Sequence, residues 1–263
     1  MADEKRDKYR IESLAKGLRV LGVFSERRPA LRMTDLVDAT GLPMPTLFRI
    51  VATLEDEGYL EQLPDNRYRP GTRVLTLGFA ALQSQDLVQA ASGPLQALAG
   101  KSGETINLGV LSGDRVLYLV RLRNAELVTA NIQVGSTLPA VYASMGKVLL
   151  AFLEPAALDG TLRADSFAPG AGPNAIRTRT ALDQQLAQVR GRGYALQDQE
   201  VAHGLRSIAA PVRDRTGAVV AAVNVAVQAG DYDLERLLTE LKQPLLDTCA
   251  DISLRLGYRT ELP

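Results

Sequence analysis

Apolar positions recur at helical spacing twice in the first sixty residues. Leu14, Leu18 and Leu21, with Val20 and Phe24 beside them, predict a helix over about 11–24, and Pro29 then breaks the chain. A short second helix is predicted over 33–39, with Thr34 able to cap it and Asp35 suited to its first turn. Thr40-Gly41-Leu42 reads as a tight turn, followed by a longer helix over about 45–57. There Leu47, Ile50, Val51 and Leu54 fall at i, i+3, i+4 and i+7 and define a buried stripe. The opposite face carries Pro45, Arg49, Ala52 and Asp56, flanked by Phe48 on one side and by Thr46 and Thr53 on the other. The pattern next becomes two short strands, 59–63 and 67–69, around Pro64-Asp65-Asn66. Helix, Gly-containing turn, helix and ribbon together predict a winged helix-turn-helix over 11–71, a fold that lays its second helix in the DNA major groove. Residues 1–10 are expected to form a disordered tail.

The rest of the chain changes period. Residues 72–86 predict an amphipathic linker helix with Leu75, Phe79 and Leu82 on one face, a face that commonly pairs with its copy in a dimer. A further helix is expected over 87–99, with Pro94 as a point of restart. Alternation at period two then predicts a hairpin, 105–111 and 115–122, over Ser112-Gly113-Asp114, and a third strand over 127–134. Residues 144–153 and 181–190 read as helices around a loop-rich stretch at 160–178. Strands at 206–212 and 218–228 pair across Asp214-Arg215-Thr216-Gly217, and a leucine-rich helix over 231–256 closes the pattern. Strands grouped together and covered by helices make the fold class α+β, with residues 87–263 as a second domain around an antiparallel sheet.

Composition narrows the function. The formal net charge is zero, and residues 1–85 hold 13 Lys/Arg against 12 Asp/Glu, so this is no general polyanion binder. DNA contact must depend on where the charges sit. Arg27, Arg28 and Arg32 flank the second helix, Arg49 lies on the third, and Arg67, Arg69 and Arg73 come next in the wing, whereas Glu55, Asp56 and Glu57 gather at the far end of the third helix. One cysteine, Cys249, rules out an intrachain disulfide and fits a reducing cytosol; with a single histidine, His203, it also excludes the usual structural zinc sets. No cofactor is expected. No apolar run reaches the length of a membrane span, and Met-Ala-Asp-Glu-Lys-Arg-Asp-Lys is too charged for a signal peptide, so a cytoplasmic location is expected.

The candidate chemistry is binding rather than catalysis. Arg49, with forked donors that match guanine O6 and N7, is the candidate base contact; Thr46 suits phosphate or a thymine methyl, and Arg67 suits phosphate or the minor groove. The competing reading leaves each of these a solvated surface residue, or makes the whole winged helix a protein-interaction module, the chain then being a small-molecule-binding adaptor without DNA binding. Ser144-Met145-Gly146-Lys147 matches an S-x-x-K tetrad but has no S-D-N or K-T-G partner, and Gly146-Lys147 lacks the rest of a phosphate loop. Asp198, Glu200 and His203 bring no nucleophile, so no enzyme is expected. Ser144, Met145 and Gly146 instead open a helix, where free N–H groups could hold a carboxylate; Ser207 and Asn224 could add directional hydrogen bonds. The plain alternative makes Ser144 an N-cap and Asn224 a polar strand residue.

With these residues in view, the chain resembles the IclR-type bacterial transcriptional regulators along nearly its whole length. The resemblance is carried by Ser13-Leu14-Ala15-Lys16-Gly17-Leu18, by Arg49…Leu54-Glu55…Gly58-Tyr59-Leu60, and by Leu138-Pro139…Ser144-Met145-Gly146-Lys147-Val148-Leu149-Leu150-Ala151. It is also carried by Asp198-Gln199-Glu200…Gly204-Leu205-Arg206-Ser207-Ile208-Ala209 and Ala222-Val223-Asn224-Val225. The first and fourth segments look closest to the branch that regulates aromatic-acid catabolism (protocatechuate, 4-hydroxybenzoate, β-ketoadipate). The resemblance implies a GAF-like effector-binding domain, a homodimer or a dimer of dimers, a near-palindromic operator in double-stranded DNA, and a small organic acid effector. The DNA contacts expected from the residues are Arg32, Thr34, Pro45, Thr46, Phe48, Arg49, Thr53, Arg67 and Arg69. By motif position the resemblance places the effector with Ser144, Met145, Gln197 or Asp198, Ser207, Asn224 and Ala226, to which the helix start adds Gly146. Gln197 stands where many relatives have an acid and Ala226 where they often have serine, so the ligand can differ. Met44-Pro45 replaces a polar pair at the start of the recognition helix; Pro45 is tolerable there but removes a backbone donor to phosphate.

Overall fold

The computed structural model describes residues 9–25, 28–83, 86–123, 132–167 and 172–259, which divide into two compact units with the boundary between Ser84 and Gln85. In the first unit α1 spans Glu12–Leu21, α2 Met33–Thr40 and α3 Met44–Asp56. Gly41 closes α2 at a left-handed φ of 67°, a conformation that costs glycine nothing, and α3 begins three residues later. The start of α2 differs from expectation. Thr34 is not the cap: the Asp35 carboxylate accepts the Arg32 backbone N–H at 2.8 Å, and Thr34 sits exposed within the first turn. Leu36, Leu47, Val51, Leu60 and Tyr68 meet Val20 and Leu31 in a small core.

The wing pairs β1 (Leu60–Gln62) with β2 (Tyr68–Pro70) in antiparallel register, turning at Asn66 with a left-handed φ of 61°. Leu31 adds an isolated bridge to Tyr68, with N···O distances of 2.9 and 2.7 Å, and ties the segment before α2 to the wing. Helix α4 (Thr72–Gln83) completes this unit and exposes Leu75 and Leu77; the side chains of Phe79 and Leu82 lie outside the described ones. The expected tail, 1–10, falls outside the described residues except for its last two positions, and Arg27 lies outside them too.

The second unit is a three-layer α+β domain. Its sheet is antiparallel throughout, in the order β5-β4-β3-β8-β7-β6. The strands are β3 Thr105–Ser112, β4 Arg115–Leu122, β5 Thr137–Pro139, β6 Ala195–Asp198, β7 Leu205–Arg213 and β8 Val219–Gln228. Both faces are buried, so the period-two alternation separates two apolar cores instead of core from solvent. Ile106, Leu108, Ile208, Ala210, Val223 and Val225 face α5 (Asp86–Ser102) and the terminal helix. That helix, α9, runs from Leu234–Arg236 through a π-helical stretch, Leu237–Leu241, into Lys242–Arg255. The opposite face is covered by α6 (Ser144–Ala151), α7 (Pro155–Thr161) and α8 (Arg179–Arg192).

Three expectations change here. Most of the predicted strand 127–134 lies outside the described residues; Ile132–Val134 is not strand, because the chain turns at Gly135 (φ 90°), which donates its N–H to the Tyr118 carbonyl at 2.8 Å. The strand that does pair with β4 is Thr137–Pro139, held by Arg115, whose guanidinium donates to Thr137 Oγ1 and its carbonyl, both at 2.9 Å. Pro94 does not restart α5, which is continuous with Pro94 buried in its middle. Strand β6 and helix α7 have no counterpart in the sequence pattern, being only four and seven residues long.

Candidate functional site

Helix α3 divides as its periodicity requires. Leu47 and Val51 are buried, while Met44, Pro45, Phe48, Arg49, Ala52 and Thr53 are exposed and Thr46 is half-buried. The Arg49 guanidinium forms no hydrogen bond or ion pair with any described residue, so it is available to a ligand. Thr53 is directed back along the helix, donating to the Arg49 carbonyl at 2.8 Å. Arg32 and Thr34, at the start of α2, are also exposed. The wing differs from a row of free cations. Arg67 is paired with Asp65 at 2.7 Å and Arg69 makes a forked contact with Glu61 at 3.0–3.1 Å; Arg73, which lies on α4 and not in the wing as expected, reaches Glu57 at 3.2 Å. Exposed pairs of this kind contribute at most about 1 kcal/mol, so a phosphate could displace the carboxylate at small cost. The net charge of the wing is thus lower than its arginine count suggests.

In the second unit, sheet register gathers the polar side chains. Arg121 on β4 lies opposite Asn107 on β3, which lies opposite Asn224 on β8. One step along, Ala226 lies opposite Ser207, and Ser207 opposite Gln197 on β6. Directly paired residues share a face, so these six side chains project to the side covered by α6. A continuous string of hydrogen bonds results. Arg121 Nη1 donates to Asn107 Oδ1 at 3.0 Å, Asn107 Nδ2 to Asn224 Oδ1 at 2.7 Å, and Asn224 Nδ2 to Ser144 Oγ at 3.5 Å. The Ser144 and Ser207 hydroxyls are 2.7 Å apart, and Ser207 donates to Gln197 Oε1 at 3.3 Å.

This string borders a narrow cavity between the sheet and the start of α6. Its walls combine Asn107, Ser144, Ser207, Asn224 and Ala226 with Tyr118, Arg121 and the apolar Ile132, Leu138, Ala143, Val201 and Leu205. Burial pushes the Tyr118 phenol up to about 12, so it stays a neutral hydroxyl. Apolar walls with a few convergent polar groups are the usual make-up of a small-molecule site.

The sequence-derived candidates do not all meet here. Ser144, Ser207, Asn224 and Ala226 line the cavity, and Gln197 joins through Ser207. Met145 packs in the core against Gly109. Gly146 backs onto another segment of the chain: a Cβ there would fall 2.1 Å from the Ala140 carbonyl oxygen. Asp198 is directed to Arg206, at 2.6 Å, and Arg206 also donates to the carbonyls of Ala229 and Tyr232. Asn107, Tyr118 and Arg121 are not among the sequence candidates. Nothing local marks them; only strand register brings them together.

Beneath α6, Lys147 is buried against Glu200 and also donates to the Leu196 carbonyl at 3.2 Å. Burial lowers the Lys147 pKa and raises that of Glu200, whose Oε2 has no partner. The tetrad that pairs Ser144 with Lys147 in sequence is therefore split in space, one hydroxyl serving the cavity and one ammonium serving a buried pair. Glu200 belongs to a loop whose Gln199 adopts a left-handed φ of 56° and accepts the Gly204 N–H on its side chain at 3.1 Å. Non-glycine residues hold that conformation where surrounding contacts enforce it. Among the described residues no cluster of potential metal ligands occurs, and no helix is long and apolar enough to cross a membrane.

Known proteins share this organisation. Residues 13–64 match the family described as the IclR helix-turn-helix domain, and residues 79–254 match that described as bacterial transcriptional regulator IclR C-terminal. The HTH-type transcriptional regulator XynR of Escherichia coli (strain K12) is 32% identical over 94% of this chain and 98% of its own length. The Pca regulon regulatory protein of Pseudomonas putida is 35% identical, over 91% of this chain and 82% of that protein. The crystal structure of an IclR homolog from Microbacterium hydrocarbonoxydans complexed with 4-hydroxybenzoate is similar with a TM-score of 0.74 and 27% identity, covering 93% of this chain and 98% of that one. The helix-turn-helix unit and the sheet domain thus match the two family models in order along the chain, and the chain belongs to the IclR family of ligand-responsive, DNA-binding bacterial transcriptional regulators.

Proposed function

We propose that the protein senses a small organic acid in the cavity beside α6 and that occupancy alters the affinity of α3 for an operator. The observation that carries this reading is the buried string Asn107–Asn224–Ser144–Ser207, which presents hydroxyls and amides to a space otherwise walled by apolar side chains. Hydrogen-bonding groups in an apolar enclosure fix a ligand's orientation and select its chemistry. Similarity to the regulator of a Pca regulon and to a homolog holding 4-hydroxybenzoate supports an aromatic or related acid as effector and its catabolism as the controlled process.

On the DNA side, the first two turns of α3, led by Pro45, Thr46, Phe48 and Arg49, face the major groove, with Thr53 one turn further along. Arg32 and Thr34 meet the backbone beside it, and Arg67 and Arg69 track phosphate or the minor groove from the wing. Asp56 and its acidic neighbours keep the far end of α3 away from phosphate. The reading includes a homodimer, or a dimer of dimers, on a near-palindromic site, because Ile11, Leu14 and Leu18 on or beside α1 and Leu75 on α4 are large apolar side chains left exposed within their unit. A thermal-shift series with benzoate, 4-hydroxybenzoate, protocatechuate and short aliphatic acids tests the effector reading. At least one acid should raise the melting temperature with a concentration dependence set by its affinity, and Ser207→Leu should remove that shift. An acid that stabilises wild type and Ser207→Leu alike binds elsewhere.

A further inference from the structure

Arg121 is the charged side chain in the wall of the cavity; every other described lining residue is neutral. It is half-buried, and no carboxylate among the described residues pairs with it. Two other inward cations of this domain are paired with carboxylates: Lys147 has Glu200, and Arg206 has Asp198 with two carbonyls. Arg121 instead directs Nη1 to the neutral Asn107 amide and leaves Nε buried with no acceptor. Arg123, two residues on, adds positive charge nearby, and burial disfavours the guanidinium's charged form.

The hydrogen-bond string fixes the orientation of Arg121. Asn107 accepts from Arg121 on Oδ1 and donates to Asn224 from Nδ2, so neither amide can flip without breaking the string. One edge of the guanidinium is therefore held by protein, while the Nε edge lacks a partner. A carboxylate presents two oxygens at the spacing of a guanidinium edge, supplies the missing charge and satisfies the orphaned N–H. The start of α6 offers no comparable place. Met145 is fully buried in the core, and the Ala140 backbone occupies the space beside Gly146.

We infer that Arg121 anchors the carboxylate of the effector, with the Ser144–Ser207 hydroxyl pair and Asn224 receiving a second polar group on the same molecule. This deepens the proposed effector reading and rests on the cavity being the effector site. The ligand class is a monocarboxylate with a compact apolar body, lying against Ile132, Leu138, Val201 and Leu205, and a hydroxyl or carbonyl away from the acid. Recognition at the carboxylate is then a matter of charge and fork geometry, and recognition at the far end a matter of neutral hydrogen bonds.

The test uses the full-length protein and calorimetric titration with benzoate, 4-hydroxybenzoate and protocatechuate, each paired with its neutral carboxamide. Wild type should bind at least one acid tenfold or more tightly than its carboxamide. Arg121→Gln should weaken the acid at least tenfold and leave the carboxamide unchanged, erasing the preference, and Arg121→Lys, which keeps charge without the fork, should fall between. Ser207→Leu should weaken acid and carboxamide together. Each variant is first matched to wild type in circular dichroism and thermal midpoint without ligand, which shows it is folded. If Ser207→Leu blocks binding but Arg121→Gln keeps the full preference for the acid, the cavity is the effector site and Arg121 is not its anchor. If acids bind and Ser207→Leu changes nothing, or no acid binds wild type, the site reading fails and the anchor with it.

Discussion

The buried pair of Lys147 and Glu200 shows how one side chain can be both costly and necessary. Each ion loses hydration on burial, and the attraction between them offsets that loss only while both are present. Lys147→Met would leave Glu200 charged, enclosed and unpaired, at a cost of about 3–5 kcal/mol, read as a fall in denaturation midpoint. Removing both charges, as in Lys147→Met with Glu200→Leu, should recover most of that loss. A double variant no more stable than the single would show that the charges themselves are not what the site depends on. Arg49 is the opposite kind of residue, exposed and with its guanidinium unpartnered among described residues, and so free to act outward. Both stand out in the sequence, Arg49 by its place opposite a buried stripe and Lys147 by a suggestive tetrad. Only the first reading translates directly into space. Arg121 and Asn107 do not stand out, because their partners are set by pairing between strands: Asn107 and Asn224 are 117 residues apart in the chain.

At the scale of elements, helices longer than one or two turns are legible because 3.6-residue periodicity is local. The stripe of α3 and the hairpin β3–β4 fall within a residue or two of where the pattern puts them. Strands β5 and β6 do not show, being three and four residues long, and the six-stranded order depends on contacts far apart in the chain. The exposed leucines of α1 also read differently in space. Leu14 and Leu18 keep helical spacing yet face away from their own core, whose buried contribution from this helix is Val20. Such a face is better explained by a second copy of the chain than by solvent. Leu14→Glu with Leu18→Glu should therefore sediment as a smaller species and lose operator affinity, while retaining the fold by circular dichroism. An unchanged sedimentation coefficient would assign those leucines no part in self-association.

For the whole molecule, the proposed function gives the two units distinct tasks: one would present a helix to DNA, the other would enclose a ligand. Regulation requires a free-energy coupling between them of only about 1–3 kcal/mol, or roughly five- to 150-fold in affinity. By linkage, an acid that weakens operator binding must itself bind less tightly to the operator complex, and one that strengthens it must bind more tightly. The most direct test is the equilibrium affinity of the protein for an operator duplex, selected from a random-sequence pool, with and without a saturating acid from the calorimetric series. Arg49→Ala serves as the reference for lost base reading, costing about 1–3 kcal/mol. The expected result is an acid-dependent change in wild-type affinity within the five- to 150-fold range, absent in Ser207→Leu. Equal affinity with the cavity full and empty, under conditions where calorimetry shows the acid bound, would contradict the claim that this cavity controls the reading of DNA.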